Sequence, residues 1–142
     1  MERGRTASDG AERTRWYREA EEKFCRATEI DYLHAVSWSN WGVSCAKVGQ
    51  SSKEGQDQER WYREAEEKYR RATEADPREA SGWFNWACLA SLRHDVKTCV
   101  ECLERWRFCN PEASAADLDR DEDFDAVRQE PEFLALRARL EK

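Results

Sequence analysis

The chain contains one stretch twice: RWYREAEEKFCRATEID from Arg15 to Asp31, and RWYREAEEKYRRATEAD from Arg60 to Asp76, an offset of 45 residues. The offset outlasts the copied stretch, because Trp38, Asn40 and Trp41 recur as Trp83, Asn85 and Trp86. Self-similarity at a fixed period of this size marks an array of stacked units, none of which can bury its apolar face alone.

Within the second copy, Tyr62, Ala65, Tyr69 and Ala72 follow one another at spacings that place them on one face of a helix, and Tyr17, Ala20, Phe24 and Ala27 repeat the pattern in the first. Small alanines between the rings let a neighbouring helix approach closely, so each aromatic fills the gap beside an alanine. On the opposite face Glu64 precedes Lys68, Glu66 precedes Arg70 and Glu67 precedes Arg71, each by one helical turn, which predicts a solvated, ion-paired outer surface.

In order, residues 1–12 are polar and glycine-containing and are expected to be frayed. Helices are expected over about 13–29, 34–48 (stopping at Gly49), 58–75 (stopped by Pro77), 79–93 and 96–108 (closed by Pro111), with a last amphipathic helix from Pro131. The segment QSSKEGQDQE, 50–59, reads as an exposed insertion loop, and 112–142 as a C-terminal cap. No strand-like alternation of useful length occurs, so the expected class is all-α. A length of 142 residues suits one domain, and the 39% hydrophobic content builds its core only if the seven tryptophans do much of the filling.

Charge narrows the partners. Charged residues make up 38% of the chain with a net charge of −6, which disfavours nucleic acid, whose binding needs Lys and Arg against phosphates. The opening MERGRTASDG has no apolar run, so no signal peptide is expected, and no stretch approaches the roughly 18 apolar residues of a membrane span. A cytoplasmic chain is expected.

Six cysteines, Cys25, Cys45, Cys88, Cys99, Cys102 and Cys109, then read as thiols used as small hydrophobes, several of them at positions where the sister unit has another small residue. A thiolate zinc site from Cys99, Cys102 and Cys109, or a redox pair, is the sharper alternative. Asp119, Asp121, Asp123 and Glu130 hold the first, third, fifth and twelfth places of a calcium loop, but Phe124 stands where the sharp turn wants glycine. Catalysis finds no nucleophile elbow, phosphate loop or metalloprotease helix, and the two histidines, His34 and His94, lie beside turns of different units, so neither enzyme activity nor a cofactor is expected.

The 34 residues from Ala80 to Ala113 resemble the tetratricopeptide repeat family through Trp83, Trp86, Ala87, Ala90, Cys99, Leu103, Trp106 and Pro111. The preceding unit resembles it further through Trp38, Trp41, Gly42, Gly49, Ala65, Tyr69, Ala72 and Pro77, once its 45 residues are taken as 34 plus an 11-residue insertion. The resemblance covers 13–111 and implies a right-handed solenoid of helical hairpins, about two and a half repeats, with the first helix lacking its partner. That helix, through Trp16, Tyr17, Ala20 and Phe24, is a candidate homodimer surface. Trp106 stands where the family keeps a small alanine, which implies that DEDFDAVRQEPEFLAL, similar to the tails closing many bacterial arrays of this family, packs there as a helical cap.

The family lines its concave side with the first helix of each repeat. The matching positions are Val36, Ser39, Asn40, Val43 and Lys47, then Ser81, Phe84, Asn85, Cys88 and Leu92. The resemblance therefore implies a non-catalytic interaction module or scaffold that holds a peptide or partner helix, with a structural self-association unit, or a thiol or zinc protein, as alternatives. Lys47 is the sole cation in this set, so an acidic C-terminal tail is a poor ligand, and a neutral or basic segment with spaced apolar side chains a better one.

Overall fold

The computed structural model describes residues 14–20, 22–23 and 34–141. The expectations for the N-terminal tail, and for Phe24, Cys25 and Ala27 in the first helix, lie outside them. The described residues form an all-α protein of packed helix pairs, in two compact units, Met1–Asp76 and Pro77–Lys142, where length alone had suggested one domain.

In the first unit, residues 14–20 and 22–23 are helical, and α1 (Ala35–Ser51) packs antiparallel on α2 (Gly55–Ala75). His34 caps α1, its Nδ1 accepting the Ser37 N–H at 3.3 Å. The helix does not stop at Gly49. It runs on to Ser51, because Gly49 serves close approach rather than a turn: a Cβ there would lie 2.7 Å from the ring of Tyr62. The hydroxyls of Ser51 and Ser52 both donate to Val48 O at 3.0 Å, satisfying a terminal carbonyl. With α2 beginning at Gly55, the insertion expected over 50–59 shrinks to a three-residue break, Ser52, Lys53 and Glu54. Gln58 ties the joint by donating from Nε2 to Gly49 O at 3.2 Å.

The face of α2 read from periodicity is the buried one: Tyr62, Ala65, Tyr69 and Ala72 are all 6% exposed or less. Gly42 faces Tyr69 so closely that its hydrogen occupies the only space available, since a Cβ would meet the ring at 2.5 Å. Asp76 and Pro77 end α2 as the proline requires.

In the second unit, α3 (Ala80–Leu92) and α4 (Val96–Cys109) form the second antiparallel pair. Their turn is made by His94 in left-handed geometry, φ 59°, and by Asp95, whose side chain accepts the Thr98 N–H at 3.1 Å as the α4 cap. The segment after Pro111 folds against this pair within the same unit: α5 (Ala115–Asp119), opened by a Ser114/Asp117 capping box, a 3-10 turn (Glu122–Val127), and α6 (Pro131–Leu140) with proline in its first turn. Leu118, Phe124, Val127, Phe133 and Leu136 join Leu103 and Trp106 in one core, each 5% exposed or less. Trp106 thus does what its size implied, packing on Phe84 at 5.0 Å between ring centroids beneath the C-terminal segment.

The tryptophans otherwise do not fill the interior. Trp38 stacks on Trp41 at 5.3 Å and Trp83 on Trp86 at 5.8 Å, all four half-buried, and Trp16 is 62% exposed; of the described tryptophans, Trp61 and Trp106 are buried. One helical turn of separation lets the rings of each pair lie flat together along the helix flank rather than point inward.

Candidate functional site

On α1, Val36, Asn40, Val43 and Lys47 recur at spacings of four, three and four and share one face, opposite the buried stripe that contains Gly42 and Cys45. Val36, Asn40 and Lys47 are exposed and Val43 is half-buried, so four of the five α1 positions form a continuous accessible strip. Ser39 leaves the set: it is 2% exposed and faces the helix pair's interior.

Part of the corresponding face of α3 is taken by the chain itself. Phe84 meets Phe124 edge-on at 5.5 Å, the Cys88 thiol lies 3.7 Å from Asp121 Oδ2, and the Ser91 hydroxyl donates to Asp123 O at 2.6 Å. The 3-10 turn therefore sits on two of the five α3 positions expected to touch a ligand, Phe84 and Cys88. Ser81 remains exposed beside Glu79, whose carboxylate accepts its N–H at 2.9 Å, and Asn85 and Leu92 are half-buried.

Next to the α1 strip, α2 supplies cations to the tryptophan pair. Lys68 Nζ lies 4.3 Å from the centre of the Trp41 ring and 2.9 Å from Glu64, and the Arg71 guanidinium lies 5.3 Å from the Trp38 ring while donating to Glu67 at 3.0 Å. Arg70 meets Glu67 at 3.1 Å. Lys68 departs from the expected solvated face: it is 8% exposed, with its ammonium over the Trp41 ring. Periodicity places a residue on a face but does not report that the ring beside it can draw a lysine inward.

The described cysteines are thiols: Cys45, Cys88, Cys99 and Cys102 buried, Cys109 half-exposed and donating to Pro77 O at 3.2 Å. Among the described residues, the groups that converge as possible metal ligands are Cys88, Asp121 and Asp123, rather than Cys99, Cys102 and Cys109. The acidic run does not close as a calcium loop. Arg137 takes both carboxylate oxygens of Asp119, at 2.8 and 2.7 Å, and Glu130 precedes α6 as its cap residue. His34 is occupied with capping and His94 with the turn.

No protein-family model matches the chain, and no curated protein matches it. Among the described residues, no helix is long and apolar enough to cross a membrane.

Proposed function

We propose that the two helix pairs are tetratricopeptide-type units of a right-handed solenoid, and that the chain is a non-catalytic interaction module of the cell interior holding an extended peptide on the exposed face of α1. The repeat reading is supported by Gly42 lying under the Tyr69 ring, with Ala65 and Ala72 buried on either side of that ring. The observation that carries the binding reading is the strip Val36, Asn40, Val43 and Lys47. It pairs apolar contact with a side-chain amide able to donate and accept, as pairing with peptide groups requires. The occupant is a neutral or basic segment with spaced apolar side chains, suited to a chain of net charge −6. Affinity in the micromolar range, roughly −8 kcal/mol, fits a surface of this size.

Selection of a random displayed peptide library on the full chain tests this. Peptides of that composition are expected to be enriched, and their binding to be abolished by Val36→Ser/Asn40→Ala in protein whose melting curve is unchanged. Enriched peptides that bind the folded double variant as tightly as the parent would show that the strip is not the site.

One observation favours a second reading, self-association through the N-terminal helical segment: Trp16, a large apolar side chain, is 62% exposed. A light-scattering mass that doubles with concentration in the parent and not in Trp16→Ser supports it. A monomer throughout removes it.

A further inference from the structure

Cys88 projects from α3 toward the start of the 3-10 turn, where Asp121 and Asp123 flank Glu122. The thiol sulfur and one oxygen of each carboxylate lie within 4.8 Å of one another, and Sγ is 3.7 Å from Asp121 Oδ2. Three donors of two chemical kinds, brought together across 33 residues of sequence, are held there by the core rather than by each other alone. Phe124 anchors the turn against Phe84, and the Ser91 hydroxyl fixes the Asp123 carbonyl at 2.6 Å. We propose that Cys88, Asp121 and Asp123 bind a borderline divalent cation of the zinc type, which clamps the 122–127 turn onto α3.

The donor set selects the ion. A tetrahedral centre with one sulfur at about 2.3 Å and two oxygens at about 2.0 Å needs donors roughly 3.3 to 3.6 Å apart, so from separations of up to 4.8 Å the side chains must draw in by up to about 1.5 Å. Calcium and magnesium prefer all-oxygen shells, and a thiol in the set disfavours them. A surface concavity of about 440 Å³, lined by Asp117, Arg120, Asp121, Glu122 and Asp123, opens beside the two carboxylates and leaves room for water at the fourth position. Arg120 at its rim is engaged with Asp117.

Cys88 is 9% exposed and Asp121 and Asp123 are half-buried, so the three donors meet at the edge of the core rather than in open solvent. As the sulfur–metal bond forms, the thiol proton leaves to solvent.

The full chain, stripped with chelator, desalted and kept under a phosphine reductant, is titrated with cobalt(II) and then zinc. One equivalent of cobalt is expected to give a thiolate-to-metal charge-transfer band that zinc displaces, and zinc is expected to raise the melting temperature. Cys88→Ser abolishes the band. Asp123→Asn, which leaves the thiol in place and so guards against a folding defect at Cys88, weakens the ion's affinity by more than about tenfold. A band that survives in Cys88→Ser assigns the metal to other thiols and overturns the proposal. So does stabilisation by calcium without zinc, or the absence of any band in the parent.

Discussion

The ring of Tyr69 lies against Gly42 with Cε1 2.5 Å from where a Cβ would stand, so one helix pair is built on the absence of a methyl group. Gly42→Ala gains helix propensity of about 1 kcal/mol, yet forces a buried ring to move. Overpacking of this kind costs about 1–3 kcal/mol, so a net loss of stability is expected in urea melts. Gly55, with nothing within 4 Å of its added Cβ, is the control. Gly55→Ala is expected to be neutral or stabilising by up to about 1 kcal/mol. Equal effects of the two substitutions would contradict the packing described.

Lys68 separates charge from packing. Lys68→Ala removes the cation from the Trp41 face and the stem from the interior, for a combined loss of about 1–2 kcal/mol. Lys68→Met keeps the stem and is expected to lose less than half as much. A double-mutant cycle with Trp41→Leu isolates the pair. A coupling energy of zero would mean that Lys68 is held by Glu64 alone.

Two aspartates of the C-terminal segment titrate in opposite senses. Burial, aided by Asp121, raises Asp123 above the usual carboxylate range, so the native state holds its proton more tightly than the unfolded chain. Stability is therefore lost as pH rises from the unfolded value of about 3.9 through the raised one. Arg137 holds Asp119 low, and that contribution is present above about pH 3.9 and lost as pH falls through the lowered value. Metal-free Asp123→Asn is expected to melt higher than the parent at neutral pH and to lack the decline just above pH 4. Asp119→Asn is expected to melt lower at neutral pH and to converge on the parent in strong acid. Melts across the acid range check both signs.

Thiol chemistry follows burial. Cys99 is enclosed, and burial followed by Asp95 pushes its thiol up to about 12, whereas Cys109 is half-exposed. Among the described cysteines, alkylation of the native protein near pH 8 is expected first at Cys109, with Cys45, Cys88, Cys99 and Cys102 protected until unfolding. Peptide mapping by mass spectrometry reads the order directly. Early labelling of Cys99 or Cys102 would indicate local opening of α4.

The helix pairs were legible because Tyr62, Ala65, Tyr69 and Ala72 repeat at the helical period, and period is what burial on one face imposes on a sequence. Trp106 was legible for a related reason, since a large residue in a small residue's place demands something to cover it. Gly49 misled, because a glycine placed for close contact and a glycine placed for a turn look alike in sequence. The stacked tryptophans and the inward Lys68 were not legible, as period gives direction from the helix axis but not rotamer. Of the α1 positions that the resemblance implies, Val36, Asn40, Val43 and Lys47 share one accessible face and Ser39 is buried. Loss of Phe84 and Cys88 to the C-terminal turn had no local sign, because it depends on contacts with residues more than thirty positions away.

That turn has a consequence for counting. The sequence is duplicated with a constant offset, which invites the assumption that each copy offers the same surface to the outside. With Phe124 seated against Phe84 and Asp121 beside Cys88, the second copy has given two of its five corresponding positions to its own chain. Duplication of sequence has therefore not duplicated the surface: the α1 strip has no equally open counterpart on α3 among the described residues. On the proposed peptide-binding reading, any gain in avidity comes from bringing two molecules together, where a linker or a shared scaffold sets the effective concentration.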